Sequence, residues 1–190
     1  MQMVRRYKIA VLGSSSEPEE SIQGRKAFGI GAAVARHGGI LLTGGCPGLP
    51  HAAALGAASG GGLTVAISPA MNREGHICSY KYPTDSQVLV FTGMGTKGRN
   101  VILVRSADAC VFVGGGMGTL NEFTIAFDEL GADCAIGVLS DSGGFSDDYV
   151  RLASRVARGP VALLVADADP DILLEKIVSH ISSNSNRTGI

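Results

Sequence analysis

The residues Val111-Phe112-Val113-Gly114-Gly115-Gly116-Met117-Gly118-Thr119-Leu120-Asn121-Glu122 constrain this chain more than any others. An apolar run ends in four glycines within five positions, and an amphipathic run follows. The pattern predicts a buried strand, a turn and a helix start. Glycine loses more conformational freedom on folding than other residues, so a cluster of it needs a physical reason. The usual reason is a backbone lying directly against a ligand, often a phosphate at a helix N-terminus. Gly115, Gly116, Gly118 and Thr119 are then candidates to offer N–H groups and a hydroxyl to a phosphate. The alternative is tight packing of the turn against the strand.

The rest of the chain repeats this strand, turn and helix pattern. Residues 7–12, 40–43, 63–67, 88–91, 109–113, 135–139 and 161–165 are apolar and β-prone, and amphipathic or alanine-rich runs separate them. The alternation predicts an α/β, Rossmann-like doubly wound fold, with a mostly parallel sheet covered by helices on both faces. One domain is expected over residues 1–182, followed by a flexible polar tail at 183–190. Glu17-Pro18-Glu19-Glu20 suits a first helical turn, and Asp169-Pro170 suits the cap and first residue of the last helix. In such sheets ligands bind at the carboxyl ends of the strands, where the strand order reverses. Residues 13–16, 44–48 and 114–118 are small and follow strands directly, so the three turns should share that edge. On this ground Ser14, Ser15, Gly44, Gly45 and Gly48 join the candidate ligand contacts. Residues 70–85 show no period and read as a long loop of the kind that carries function.

A net charge of −1 over 190 residues argues against binding nucleic acid or a membrane surface by charge alone. Glycine, serine or a charge interrupts every apolar run before it reaches membrane-span length. The basic start, residues 1–8, lacks the apolar core of a signal peptide. Cys46, Cys78, Cys110 and Cys134 are far apart and form no CxxC, which predicts buried free thiols in a reducing compartment. The expectation is a cytoplasmic protein with a small phosphorylated partner, no nucleic acid, no membrane and no bound metal. Residues 93–100 have the GxxxxG spacing of a P-loop but end in Arg99-Asn100 instead of Lys-Ser/Thr. His51, on an alanine-rich helix, reads as a packed or surface histidine.

Gly115-Gly116-Met117-Gly118-Thr119-Leu120-Asn121-Glu122 resembles the GGxGTxxE core of the LOG family. Thr43-Gly44-Gly45-Cys46-Pro47-Gly48-Leu49 is similar to that family's GGGxG turn, and Arg99 stands where the family has an arginine. The three matches come in the family's order and span nearly the whole chain. On them the chain is identified as a member of the SLOG superfamily, which joins LOG proteins to relatives of the DNA-processing protein DprA. The resemblance implies a homodimer or higher homo-oligomer with sites near the interface.

For the LOG branch, the resemblance implies hydrolysis of the N-glycosidic bond of a nucleoside 5′-monophosphate, releasing free base and ribose 5-phosphate. No cofactor is required for that. Glu122 and Arg99 are then the catalytic candidates. Glu122 would hold ribose hydroxyls or orient water at an oxocarbenium-like centre. Arg99 would sit near the leaving base or the phosphate, with Asn100 beside it on the same ligand. Two alternatives stand beside these roles: Thr119-x-x-Glu122 is also a capping box, and Arg99 could be a surface residue tied to a carboxylate. The phosphoribohydrolases carry proline at the position of Gly114 and lysine at that of Asn100. At both positions this chain looks like the branch that contains molybdenum-cofactor carrier proteins. That branch implies binding of a molybdenum cofactor or a nucleotide-like phosphate ligand without turnover. The lysine decarboxylase label attached to parts of the family finds no matching pyridoxal-phosphate site here.

Overall fold

The central strands are apolar on both faces, and the chain buries both. In β1 (Lys8–Gly13), Ile9 and Val11 enter one core while Ala10 and Leu12 enter the other. β5 (Ala109–Val113) divides the same way, with Val111 and Val113 on one side and Cys110 and Phe112 on the other. Such strands need helices on both faces. The computed structural model, which describes residues 6–188 and side chains to residue 184, supplies them. Helices α1 (Ile22–Arg36), α2 (Leu49–Ser59) and α6 (Pro170–Thr188) cover the Ile9 face. Helices α3 (Gly95–Arg105), α4 (Met117–Glu129) and α5 (Ser146–Arg155) cover the Phe112 face.

The remaining strands are β2 (Ile40–Thr43), β3 (Leu63–Ser68), β4 (Val88–Phe91), β6 (Ala135–Leu139) and β7 (Leu163–Asp167). All pairings are parallel and the order is β4-β3-β2-β1-β5-β6-β7, the doubly wound Rossmann-like sheet expected. The chain winds outward from β1 to β4, then returns to the other side of β1 as β5. This reversal opens a crevice at the carboxyl ends of β1 and β5. Gly13 pairs with Val113 in register, so the two glycine turns leave the sheet side by side.

Two glycines set how closely the helices of one layer pack. A methyl group on Gly31 of α1 would collide with the Ala53 carbonyl of α2, and one on Gly56 with the Phe28 carbonyl. The helices therefore meet backbone to backbone, which fixes where α2 and the turn before it stand.

α1 starts later than expected. Ser21 caps it, its Oγ accepting from the Gly24 N–H at 2.9 Å, and residues 17–20 form a loop instead of a first turn. Serine is the stronger cap, and it leaves Glu19 for another partner. That partner is His51. Its Nδ1 lies 2.6 Å from Glu19 Oε1 and its Nε2 lies 2.8 Å from Asp85 Oδ2. Both nitrogens can donate only in the doubly protonated ring. Burial lowers the His51 pKa, but the hydrogen bonds to the two carboxylates outweigh it and hold the value above normal. His51 thus clasps the loop after β1 to the end of the 70–85 loop.

A second histidine pins that loop from inside. His76 is fully buried on a single π-helical turn, Gly75–Ser79. Its Nε2 donates to the Pro83 carbonyl at 2.8 Å and its Nδ1 pairs with Ser68 Oγ at 2.8 Å.

The expected tail is largely helix. α6 is capped by Asp169, whose Oδ1 accepts from the N–H groups of Asp171 and Ile172 at 2.8 and 3.1 Å, and it continues to Thr188. Polar side chains sustain it past residue 182. The hydroxyls of Ser182 and Ser183 donate to the Ser179 carbonyl, and the Asn184 amide reaches the Ala132 carbonyl at 3.4 Å. Residues 189–190 of that tail, and 1–5 of the basic start, lie outside the described residues. No helix of the described residues is long and apolar enough to cross a membrane. All four cysteines are free, and Cys78 is exposed where a buried thiol was expected.

Two measurements check this frame. Gly31→Ala should destabilise the fold by roughly 3 kcal/mol, because the obstacle is backbone and not a flexible side chain. Gly159→Ala, which meets nothing within 4 Å, should leave the melting temperature nearly unchanged. The His51 clasp has a defined pH sense. A raised folded pKa contributes stability that is full below the unfolded value of about 6.5 and is lost as pH rises through the folded value. The melting-temperature gap between wild type and His51→Asn should therefore be largest near about pH 6 and close as the solution becomes alkaline; a gap that widens with pH contradicts the clasp.

Candidate functional site

The crevice at the strand reversal is a cleft of about 260 Å³. Its floor is the end of β1, with Ser14 and Ser15 leading away from it. Gly44 enters from the turn after β2, and Arg99 and Asn100 from the second turn of α3. Gly116, Gly118, Thr119 and Glu122 enter from the start of α4. The fold thus brings nine of the twelve residues singled out in the sequence to one cavity, and three stand elsewhere. Gly45 lies behind the wall, its N–H donating to Thr43 Oγ1 at 3.1 Å. Gly48 is the N-cap of α2 and lines a shallow depression with Ser15, Ser16 and residues 17–20. Gly115 lines a neighbouring hollow of about 230 Å³ with Gly114 and residues 142–144.

α4 begins at Met117 with Gly116 as its N-cap, and no side chain caps it. The first N–H groups of a helix have no partner within it and carry a partial positive charge. Around Gly116 and Gly118 the space a Cβ would occupy is empty, so these glycines leave room above the helix end instead of filling a packed contact. This start also decides the capping question. Thr119 is the third residue of the helix, not its cap, and Glu122 lies a further turn along. The Glu122 carboxylate does not fold back on the helix start; it lines the cleft.

There Glu122 meets Arg99. Arg99 Nη1 lies 3.4 Å from Glu122 Oε1, and both side chains are more than nine-tenths buried. The alternative of Arg99 as a surface residue therefore fails. Its guanidinium lies flat against the Gly44 backbone, where any Cβ would displace it. With its amide turned so that the nitrogen faces the carboxylate, Asn100 donates to Glu122 Oε1 at 3.0 Å and to the Thr96 carbonyl at 2.8 Å. Two features remain unbalanced. Arg99 Nε has no hydrogen-bond partner. Burial raises the Glu122 pKa to about 7, although Arg99 and Lys97 pull it down. A buried donor without an acceptor costs free energy unless something else supplies one.

Gly114 explains its own departure from the proline of the phosphoribohydrolases. Its φ is +56°, a conformation closed to proline, whose ring holds φ near about −65°. Its N–H, which proline lacks, donates to Ser142 Oγ at 2.8 Å, and its carbonyl accepts from the Tyr149 hydroxyl at 3.3 Å. The glycine turn is thereby tied to the loop after β6.

The cleft also holds residues the sequence did not single out, among them Cys46, Thr96, Lys97 and Tyr82. Lys97 belongs to the stretch set aside as an imperfect P-loop. Tyr82 comes from the aperiodic 70–85 loop, whose path no local pattern encodes. Met71, Met94 and Met117 are exposed and do not line the cleft. Among the described residues no cluster of three His, Cys, Asp or Glu side chains could hold a metal ion.

Known proteins resemble this chain in sequence or in fold. An uncharacterized protein of Archaeoglobus fulgidus is 40% identical over 122 residues, covering 64% of this chain and 74% of that one. The molybdenum cofactor binding protein of the phototrophic bacterium Rippkaea orientalis superposes with a TM-score of 0.72 at 27% identity, over 92% of this chain and 98% of that one. The molybdenum cofactor carrier protein of Chlamydomonas reinhardtii gives a TM-score of 0.67 at 25% identity, over 92% and 99% of the two chains. The model of the SLOG cluster4 family matches residues 6–157, from the start of the sheet to beyond α5, and the chain belongs to that family.

Proposed function

We propose that this protein binds and retains a phosphate-bearing ligand of nucleotide or molybdenum-cofactor type in the cleft between β1 and β5, as a carrier or sensor. The observation that carries this reading is the uncapped N-terminus of α4 beside the buried, incompletely paired Arg99. The helix end offers N–H groups, the emptiness over Gly116 and Gly118 offers room, and Arg99 Nε offers a charged donor that lacks an acceptor. An oxyanion satisfies all three. A molybdenum cofactor, which bears a phosphate, fits these donors as cargo: Gly116, Gly118 and Thr119 would take its phosphate, and Arg99 a second oxygen. Relatives named for that cofactor, at 25–27% identity, favour the same class of ligand.

Retention without turnover is favoured by the two positions where the chain leaves the phosphoribohydrolase pattern. Gly114 builds a turn that proline cannot build, and Asn100 holds Glu122 with a neutral amide where those enzymes place lysine. Hydrolysis of a nucleoside 5′-monophosphate is the second reading, favoured by Glu122 itself. A carboxylate in the cleft with a pKa near 7 can stabilise an oxocarbenium-like centre or orient water. A homodimer belongs to the same proposal, since Met94 at the N-cap of α3, Val101 within α3 and Met117 of α4 are exposed apolar residues on neighbouring elements.

Incubation with a panel of nucleoside 5′-monophosphates should leave free base and ribose 5-phosphate undetected, while a phosphate ligand binds. Base release that disappears in Glu122→Gln overturns the carrier reading in favour of the hydrolase. Arg99→Met should weaken phosphate-ligand binding about tenfold or more in calorimetry, the worth of a charged hydrogen bond. Glu122 sets a pH dependence of known sign. Below pH 7 it is neutral; above, it adds a negative charge beside the bound anion. The ratio of wild-type to Glu122→Gln affinity, which cancels the ligand's own titration, should therefore fall as pH rises through about 7; a flat ratio means that Glu122 does not face the anion.

A further inference from the structure

The 70–85 loop reaches the cleft through a single side chain, Tyr82, the one aromatic residue lining it among the described residues. The ring is half-buried, and Cys46, Arg99 and Glu122 lie close enough to act on its hydroxyl electrostatically. Its place is fixed from several directions. The Tyr82 N–H donates to the His76 carbonyl at 3.1 Å. The His76 ring meets the Tyr82 ring edge-on, with centroids 5.6 Å apart, and the Tyr80 ring lies against it at 5.4 Å. His76 is itself held through both ring nitrogens, and the His51–Asp85 contact fastens the loop three residues further on. A long loop is ordinarily mobile; this one is pinned at its centre and its end. The other walls are serines, glycines, aliphatic side chains and the polar and charged groups around Arg99 and Glu122, and the one other extended planar group, the Arg99 guanidinium, is turned against the Gly44 backbone.

We propose that Tyr82 is the specificity-determining residue of the cleft, its preformed ring selecting ligands that carry a planar ring system beyond their phosphate. The inference rests on the phosphate reading of the cleft. A fixed aromatic wall costs little entropy to use, because the loop is ordered before the ligand arrives. Stacking on an aromatic side chain tolerates many ring systems, since each has a π face. Tyr82 thus favours ring-bearing phosphates over bare sugar phosphates without naming one ring.

The test uses two probes that share the ribose 5-phosphate unit and differ at its anomeric carbon, adenosine 5′-monophosphate with a planar base there and ribose 5-phosphate with a hydroxyl, titrated calorimetrically against the full chain. Wild type should bind the nucleotide about tenfold more tightly, the low end of one stacked base. Tyr82→Ala should abolish that preference while changing ribose 5-phosphate affinity less than about twofold. Tyr82→Phe should behave as wild type. Tyr82→Leu, which keeps apolar bulk without a ring, should behave as Tyr82→Ala and carries the test if the alanine variant misfolds. An unchanged preference in Tyr82→Ala or Tyr82→Leu overturns the inference, as does equal binding of the two probes by wild type. A loss in Tyr82→Phe as large as in Tyr82→Ala also overturns it, by assigning the contact to the hydroxyl. If wild type binds neither probe, the phosphate reading itself falls, and the inference with it.

Discussion

Parallel strands whose side chains are apolar in both directions need helices on both sides, and a chain can cover both sides only by reversing its winding once. Here the reversal falls between β1 and β5. Because every strand runs the same way, the carboxyl ends of β1, β2 and β5 and the starts of α2, α3 and α4 come to one edge. The cleft is the space left there. Its contents follow from that constraint: backbone N–H groups from α4, a cation from α3, small residues from the turn after β1. The close contact of α1 with α2 through Gly31 and Gly56 holds the turn after β2 against the same edge, so that Gly44 can back the Arg99 guanidinium.

Much of this was legible in the sequence because it depends on local pattern. Six of the seven strands keep the bounds read from hydrophobicity to within a residue, and residues 40–43, 88–91, 109–113 and 135–139 keep them unchanged. The three glycine turns could be placed on one edge from topology alone, before any coordinate. Errors came where two local rules competed. Glu17-Pro18-Glu19-Glu20 has the composition of a first turn, but Ser21 is the stronger cap and Glu19 is drawn to His51. Thr119-x-x-Glu122 matches a capping box, but the helix starts two residues before the threonine, which turns the glutamate to the cleft. The polar end of the chain reads as a tail, but its serines and asparagine find carbonyls along and beside the helix. What lay beyond sequence reasoning was contact at long range: His76 with Pro83 and Ser68, His51 with two loops, and Tyr82 in the wall of the cleft. None has a period or a spacing to reveal it.

The electrostatics of the cleft make most sense as an exchange of partners. A buried ion pair contributes little to stability, because taking both charges out of water offsets their attraction. The pair here is also imperfect, with Arg99 Nη1 3.4 Å from the carboxylate, Arg99 Nε unpaired, and burial raising the Glu122 pKa to about 7. Stability alone gives no reason to keep such a pair; hydrophobic side chains of the same volume would serve the fold as well or better. An anion bound at the start of α4, as proposed above, would change the balance. It presents Arg99 with a better acceptor than the carboxylate, and its negative charge pushes Glu122 further toward its protonated form. Glu122, once protonated, keeps Asn100 as a neutral hydrogen-bond partner and gains a proton to donate. Under the proposed binding of a phosphate ligand, Arg99 and Glu122 would act as a charge reserve: paired with each other in the free cleft, and separated, with a proton taken up, once the ligand's own charge replaces the carboxylate.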